Sequence, residues 1–205
     1  MTSPIYWPLA QRHLSRQDPV MADLIQRYPE PLVQGGDSFH TLVRAIVGQQ
    51  ISIRAADTVW QRLETAVEEV APQNILACPL ESLRRAGLSR AKADYLQQVA
   101  GYYQEHRIDD AYWEGRKFDE VRRELLGIKG IGRWTVEMFA IFHLHEPDIF
   151  SPADIGLQKA VAGLYFDGAP MDKQTLDAFS HRWRPYRTVA AWYLWRHLDP
   201  VPVCY

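Results

Sequence analysis

Apolar residues recur along this chain at helical spacing. Phe39, Leu42, Val43, Ile46 and Val47 fall at i, i+3, i+4, i+7 and i+8, with Asp37 or Ser38 placed to cap the start. Tyr95, Leu96, Val99 and Tyr103 repeat the pattern. From Trp134 to Phe142 the residues are apolar nearly all round, as in a helix enclosed by neighbours. No alternating period-two stretch is long enough to force a strand. Cys78-Pro79, Glu146-Pro147-Asp148, Ser151-Pro152 and Asp199-Pro200 mark turns between helices. Internal repeats and low-complexity segments are absent. The pattern predicts an all-α fold of about ten helices.

One segment interrupts this regularity. In the run Leu125-Leu126-Gly127-Ile128-Lys129-Gly130-Ile131-Gly132-Arg133-Trp134, three glycines within six residues stop one helix and start another, with a hairpin between. A helix opening straight after a glycine turn offers unpaired N–H groups and a positive dipole end to an anion. The preceding segment, Asp119–Leu126, reads as helix, and no G-x-x-x-x-G-K-[ST] run is present, which argues against a nucleotide-binding loop. A helix–hairpin–helix suits a single DNA backbone phosphate, gripped from the minor-groove side without reading sequence. Glycine hairpins between helices also occur in proteins that never touch DNA.

Composition sets bounds. A chain of 205 residues, 47% hydrophobic with seven tryptophans, can bury a sizeable core as one domain or two packed lobes. No apolar run approaches the ~18 residues of a membrane span. The start, Met1 to Pro8, lacks the basic flank and long apolar stretch of a signal peptide. The two cysteines, Cys78 and Cys204, give no disulfide framework and no four-cysteine cluster for zinc or iron–sulfur. A soluble intracellular protein is expected. The net charge of −2 counts against a nucleic-acid binder with a broad basic surplus; the charge would then be local, and a small footprint of few phosphates would fit. Composition alone would favour a neutral metabolic enzyme, which the motifs have to overturn.

The hairpin followed by Asp148-Ile149-Phe150-Ser151-Pro152-Ala153-Asp154 resembles the helix-hairpin-helix DNA glycosylases, and within them the 3-methyladenine DNA glycosylase II branch. Three further stretches carry the likeness: Leu42 to Ser52 with its Gly48-Gln49-Gln50-Ile51, Ala86-Gly87-Leu88-Ser89-Arg90-Ala91-Lys92, and Arg184-Pro185-Tyr186-Arg187 through Ala191 to Arg196. They span nearly everything from about residue 14 to residue 197, in the family's order. The resemblance implies one glycosylase domain over residues 1–205 with two helical lobes and the active site in the cleft between them. One lobe would hold the middle helices, roughly 45–145, with the hairpin at 119–140; the other would come from both chain ends. The extra N-terminal β-rich domain of some relatives has no room here.

The same resemblance implies roles. Asp154 matches the family's catalytic aspartate. Breaking an N-glycosidic bond builds positive charge on the deoxyribose, which a nearby carboxylate stabilises, and the same group can orient or deprotonate the attacking water. From the residues alone Asp154 is equally a helix N-cap, since it follows Pro152 and precedes Ile155, Leu157 and Val161. Asp148 reads as a turn residue. Relatives that also cut the strand carry a Schiff-base lysine where this chain has Trp134, so a monofunctional enzyme leaving an abasic site is implied. Trp134 and Trp195 match the base-pocket positions, where π-faces would hold a cationic alkylated purine, with Trp183, Tyr186 and Trp192 nearby in sequence; core packing is the alternative for each. Gln50 stands where relatives insert a side chain into the space a flipped nucleotide leaves; the alternative is a helix-terminal glutamine bonded to local backbone.

At the hairpin, Gly127, Lys129, Gly130, Gly132 and Arg133 would contact DNA, with Lys129 and Arg133 facing phosphates. The resemblance also implies a monovalent cation, Na+ or K+, on the backbone carbonyls of Leu126, Ile128 and Gly130. No other cofactor is required and no iron–sulfur cluster is expected. Ser89 would cap a helix, with packing or a phosphate contact open for that turn. His143 and His145, at i and i+2, do not share a helix face and suggest no metal site. Arg187 and Arg196 read as phosphate contacts or structural residues, and both cysteines as inert. The expected partner is duplex DNA containing alkylated bases, met by a monomer in a bacterial cytoplasm or a eukaryotic nucleus. A non-catalytic module binding bent or damaged DNA, and a glycosylase–lyase of the same fold, are the competing readings.

Overall fold

The computed structural model describes residues 3–33 and 35–201, so Cys204 lies outside it. Twelve α-helices and two single-turn 3-10 segments account for the regular structure of those residues. That exceeds the ten or so predicted, because α5 (Pro72–Ala77) and α6 (Leu80–Arg85) are too short to declare a period. The described residues contain no helix long and apolar enough to cross a membrane. They group into two compact units, one from residues 3–33 and 140–201, the other from 35–139.

The unit of residues 35–139 is built around α3 (Ser38–Gly48) and α7 (Arg90–His106), which pack on each other. Phe39, Leu42, Val43, Ile46 and Val47 are all buried, as their spacing requires. Asp37 is the cap of α3, accepting from the His40 N–H at 2.7 Å, while Ser38 is the first helical residue and donates its N–H to Asp110 Oδ1 at 2.8 Å. Ser89 caps α7 by accepting the Lys92 N–H. Around these lie α4 (Ile53–Val67), α5, α6 and α8 (Phe118–Leu126). Helix α9 runs Arg133–Phe142 and stops there, so His143 and His145 lie in the turn beyond it, not on a helix. Among the described residues no group of three or more His, Cys, Asp or Glu could hold a metal.

In the other unit, α12 (Arg187–Leu198) packs against α10 (Ile155–Tyr165) and α2 (Pro19–Arg27), with α1 (Trp7–Gln17) and α11 (Lys173–Ser180) completing the group. Asp18, 5% exposed, accepts from Val20 N, Met21 N, Tyr165 Oη and Trp183 Nε1, so a buried carboxylate joins three elements with its oxygens satisfied. Arg196 is buried against the Tyr28 and Trp192 rings and pairs with Glu30 at 3.1 Å. Asp148 proves more than a turn residue: Arg187 donates to both of its carboxylate oxygens and to its carbonyl, holding the segment that leads to α10. Arg187 and Arg196 are therefore structural in their contacts.

Candidate active site

Five of the seven tryptophans are buried, among them Trp183 and Trp192, whose indole N–H groups go to Asp18 and the Glu30 carbonyl. Those two belong to the core. The remaining pair, Trp134 and Trp195, are half-exposed. Tyr186 stacks on Tyr6 at 6.2 Å between ring centroids.

Pro152 and the turn after it end just before α10, and Asp154 is that helix's N-cap. Its Oδ1 accepts the Leu157 N–H at 2.9 Å. The same oxygen accepts a second donor, the Trp195 indole N–H, at 3.0 Å. Trp195 projects from α12, where Ala191, Trp192, Tyr193, Leu194 and Arg196 are buried, and its ring stacks on Phe142 with centroids 5.9 Å apart and planes 19° apart. Gly156 faces the contact: a Cβ there would lie 3.0 Å from Asp154 Oδ1 and 3.2 Å from Trp195 Cδ1. Asp154 is thus a helix cap whose carboxylate is also bonded to a half-exposed aromatic ring. Ile155 beside it is 62% exposed.

At the hairpin, α8 ends with the Gly127 N–H bonded to the Glu124 carbonyl, and the Ile128 carbonyl accepts the Ile131 N–H. Ile128 and Ile131 are buried and fasten the turn. Gly130, at φ +96, requires glycine twice over, since a Cβ would also stand 2.2 Å from Tyr95 Cγ. Gly132 has open space around it. Lys129 is exposed and pairs with Asp94 at 2.9 Å, which holds its ammonium more firmly protonated. Arg133, 79% exposed at the side chain, pairs with Glu137 at 2.8 Å. The Lys129 pair is exposed at both ends and is therefore weak, whereas Glu137 is buried beneath Arg133.

The loop between α3 and α4 carries two glutamines with opposite fates. Gln50 is exposed, at φ +59. Gln49 turns inward and donates to the Gly130 carbonyl at 3.1 Å and to Thr135 Oγ1 at 2.9 Å. Lys92 closes the end of α3 by donating to the carbonyls of Val47 and Gln49, and the burial this entails lowers its pKa. Sequence reasoning missed Gln49, Tyr95 and Gly156. The Gly48-Gln49-Gln50 run marked the place, but not which amide faces the hairpin.

The family model for HhH-GPD superfamily base excision DNA repair proteins matches residues 43–185. The chain is 30% identical to DNA-3-methyladenine glycosylase 1 of Schizosaccharomyces pombe, over 91% of this chain and 86% of that one. Of a Bacillus subtilis relative 29% identical to it, the chain spans 62% of the length. Its structure is similar to that of the S. pombe 3-methyladenine DNA glycosylase in complex with abasic DNA, with a TM-score of 0.83 at 29% identity, covering 91% of this chain and 95% of that one. It also resembles a DNA-3-methyladenine glycosidase from Bacillus halodurans, with a TM-score of 0.71 at 34% identity, covering 93% and 89%. With more than half its length matched by the family model, this chain belongs to the HhH-GPD superfamily of base excision DNA repair proteins.

Proposed function

We propose that this protein is a monofunctional DNA glycosylase that hydrolyses the N-glycosidic bond of alkylated purines such as 3-methyladenine and 7-methylguanine in duplex DNA. The observation that carries the reading is the Asp154 carboxylate, fixed at the start of α10 by the Leu157 and Trp195 N–H groups. As the bond breaks, the deoxyribose becomes oxocarbenium-like, and the carboxylate stabilises that charge or orients the attacking water. A base already carrying positive charge leaves readily, so no strong acid is needed. The aromatic faces of Trp134 and Trp195 would hold such a base by stacking and cation–π attraction. Position 134 supplies no amine, so water is the nucleophile and an abasic site the product.

The duplex would be held at the hairpin by Lys129, Arg133 and the N–H groups around Gly127, Gly130 and Gly132, with Gln50 filling the space left by the extruded nucleotide. A monovalent cation there would be held by the carbonyls of Leu126, Ile128 and Gly130 and would supply positive charge toward a DNA phosphate. The Ile128 carbonyl accepts the Ile131 N–H and the Gly130 carbonyl accepts the Gln49 amide, and a carbonyl oxygen has two lone pairs to offer. A monomer suffices for this reading, acting wherever the cell keeps its DNA: cytoplasm in a bacterium, nucleus in a eukaryote.

The test is base release from methylated duplex DNA by wild type and Asp154→Asn, followed by strand scission with and without hot alkali. Release by wild type, loss in the variant with DNA binding kept, and scission only after alkali are expected. Absence of release with damaged DNA still bound would make the protein a binding module; scission without alkali would make it a lyase.

A further inference from the structure

We infer that Trp195 is a positioning residue for Asp154: its indole N–H and the Leu157 N–H clamp Oδ1 of the carboxylate, and Gly156 stands against that clamp, where a side chain would press on both groups. The inference rests on the reading of Asp154 as the reacting carboxylate, and it adds to any contact Trp195 makes with a base.

Three observations carry it. An N-cap aspartate needs one backbone donor, and Asp154 already has Leu157 N at 2.9 Å. The second donor on the same oxygen, Trp195 Nε1 at 3.0 Å, comes from a helix 41 residues further along the chain, so capping does not account for it. Two donors converging on Oδ1 restrict rotation of the carboxylate plane, and a charge-assisted bond restricts it more firmly than a neutral one. The indole is itself held, because its ring lies against Phe142 and its flanking residues on α12 are buried. Finally, Gly156 sits where a Cβ would be 3.0 Å from Oδ1, 3.2 Å from Trp195 Cδ1 and 3.4 Å from Nε1. Its φ lies outside the left-handed region, so the backbone does not ask for glycine there; the tight contact is what disfavours a side chain.

A group that only stacks on a base and a group that orients a carboxylate fail differently. Trp195→Phe keeps an aromatic face against Phe142 and removes only the N–H and part of the ring. If Trp195 positions Asp154, the maximal rate of base release falls roughly ten- to a hundredfold, the range for losing a hydrogen bond to a charged group. The fall is the same for 3-methyladenine and 7-methylguanine, while KM and the affinity for abasic DNA stay within about twofold of wild type. If it only stacks, KM rises and the loss differs between the two bases.

Gly156→Ala guards against misfolding as the cause. The methyl group needs its neighbours to give by only a few tenths of an ångström, and alanine's helix preference of up to about 1 kcal/mol offsets part of that cost, so the variant should stay folded, as its melting curve checks. It should nevertheless lose maximal rate, because the methyl group displaces the carboxylate or the indole. The experiment measures single-turnover release of both bases, abasic-DNA binding and thermal unfolding for wild type, Trp195→Phe and Gly156→Ala. A Trp195→Phe rate within twofold of wild type, or a loss confined to KM, overturns the positioning role and leaves the glycosylase reading intact. A Gly156→Ala variant with unchanged rate overturns the assignment of Gly156. No release by wild type overturns both the glycosylase reading and this inference.

Discussion

The Gln49 side-chain amide donates to the carbonyl of Gly130, 81 residues away, and to the buried Thr135 hydroxyl. The loop after α3, the glycine hairpin and the first turn of α9 are therefore fastened to one another. Lys92 fastens the same loop from the other side through the Val47 and Gln49 carbonyls. Its ammonium lies at the C-terminal end of α3, where the helix dipole favours a cation. Gln50, next in the chain, is thereby held in place with its side chain left outward.

Gln49→Ala should cost about 1–3 kcal/mol in urea unfolding, since it removes two hydrogen bonds and strands the Thr135 hydroxyl. Gln50→Ala should leave stability within about 0.5 kcal/mol. If Gln50 fills the vacated stack, that variant loses base release instead. The two neighbouring glutamines would then separate stability from function, and equal effects on unfolding would contradict the geometry.

The hairpin glycines are expected to differ as sharply. Gly130→Ala combines a left-handed backbone with a clash against the Tyr95 ring, so a loss of at least about 1–3 kcal/mol is expected, with DNA binding reduced in parallel. Gly132→Ala meets open space, and at the residue before α9 it should cost no more than about 1 kcal/mol, the difference between glycine and alanine as a helix cap. Thermal unfolding of the two variants side by side decides it; comparable losses would contradict the geometry that sets Gly130 apart.

Long amphipathic helices were legible in the sequence because burial imposes their period: the positions of α3 and α7 that the spacing marks as apolar are the ones that pack. Short α5 and α6 were not, since six residues make fewer than two turns. The position of Asp154 at a helix start was legible from Pro152 and the apolar residues beyond it. Its bond to Trp195 was not, because a contact across 41 residues leaves no local pattern. The tryptophans show the same limit. Composition gives seven, but only tertiary packing separates the buried Trp183 and Trp192 from the half-exposed Trp134 and Trp195.

Lys129 is a test of how few phosphates the protein uses. Its pairing with Asp94 is exposed at both ends, so a phosphate can replace the carboxylate. Lys129→Ala should weaken binding to damaged and undamaged duplex alike and reduce the slope of log affinity against log salt by about 1. The wild-type slope should itself be shallow, as the net charge of −2 requires. A variant that loses affinity only for the damaged duplex would place Lys129 in lesion recognition and not on the backbone.

Two histidines should make the fold sensitive to mild acid. Burial lowers the pKa of His40, whose ring lies edge-on to Trp60 with centroids 4.6 Å apart; Arg44 lowers it further, while Asp37 and Glu64 oppose the shift. Burial, then the neighbouring His143, lowers that of His145. In the unfolded chain both titrate near 6.5. Below that value the unfolded state binds more protons than the folded one, so stability falls with pH. The stabilising contribution is thus complete above about pH 6.5 and is lost as pH drops through the lowered folded values. Glu146 acts the other way, because burial raises its pKa and its protonation in acid favours the folded state. Comparing variants isolates the histidines. His40→Gln and His145→Gln should each lose less stability than wild type between about pH 7.5 and about pH 5 in urea titrations. Wild-type and variant curves that run parallel over this range would assign the acid sensitivity elsewhere.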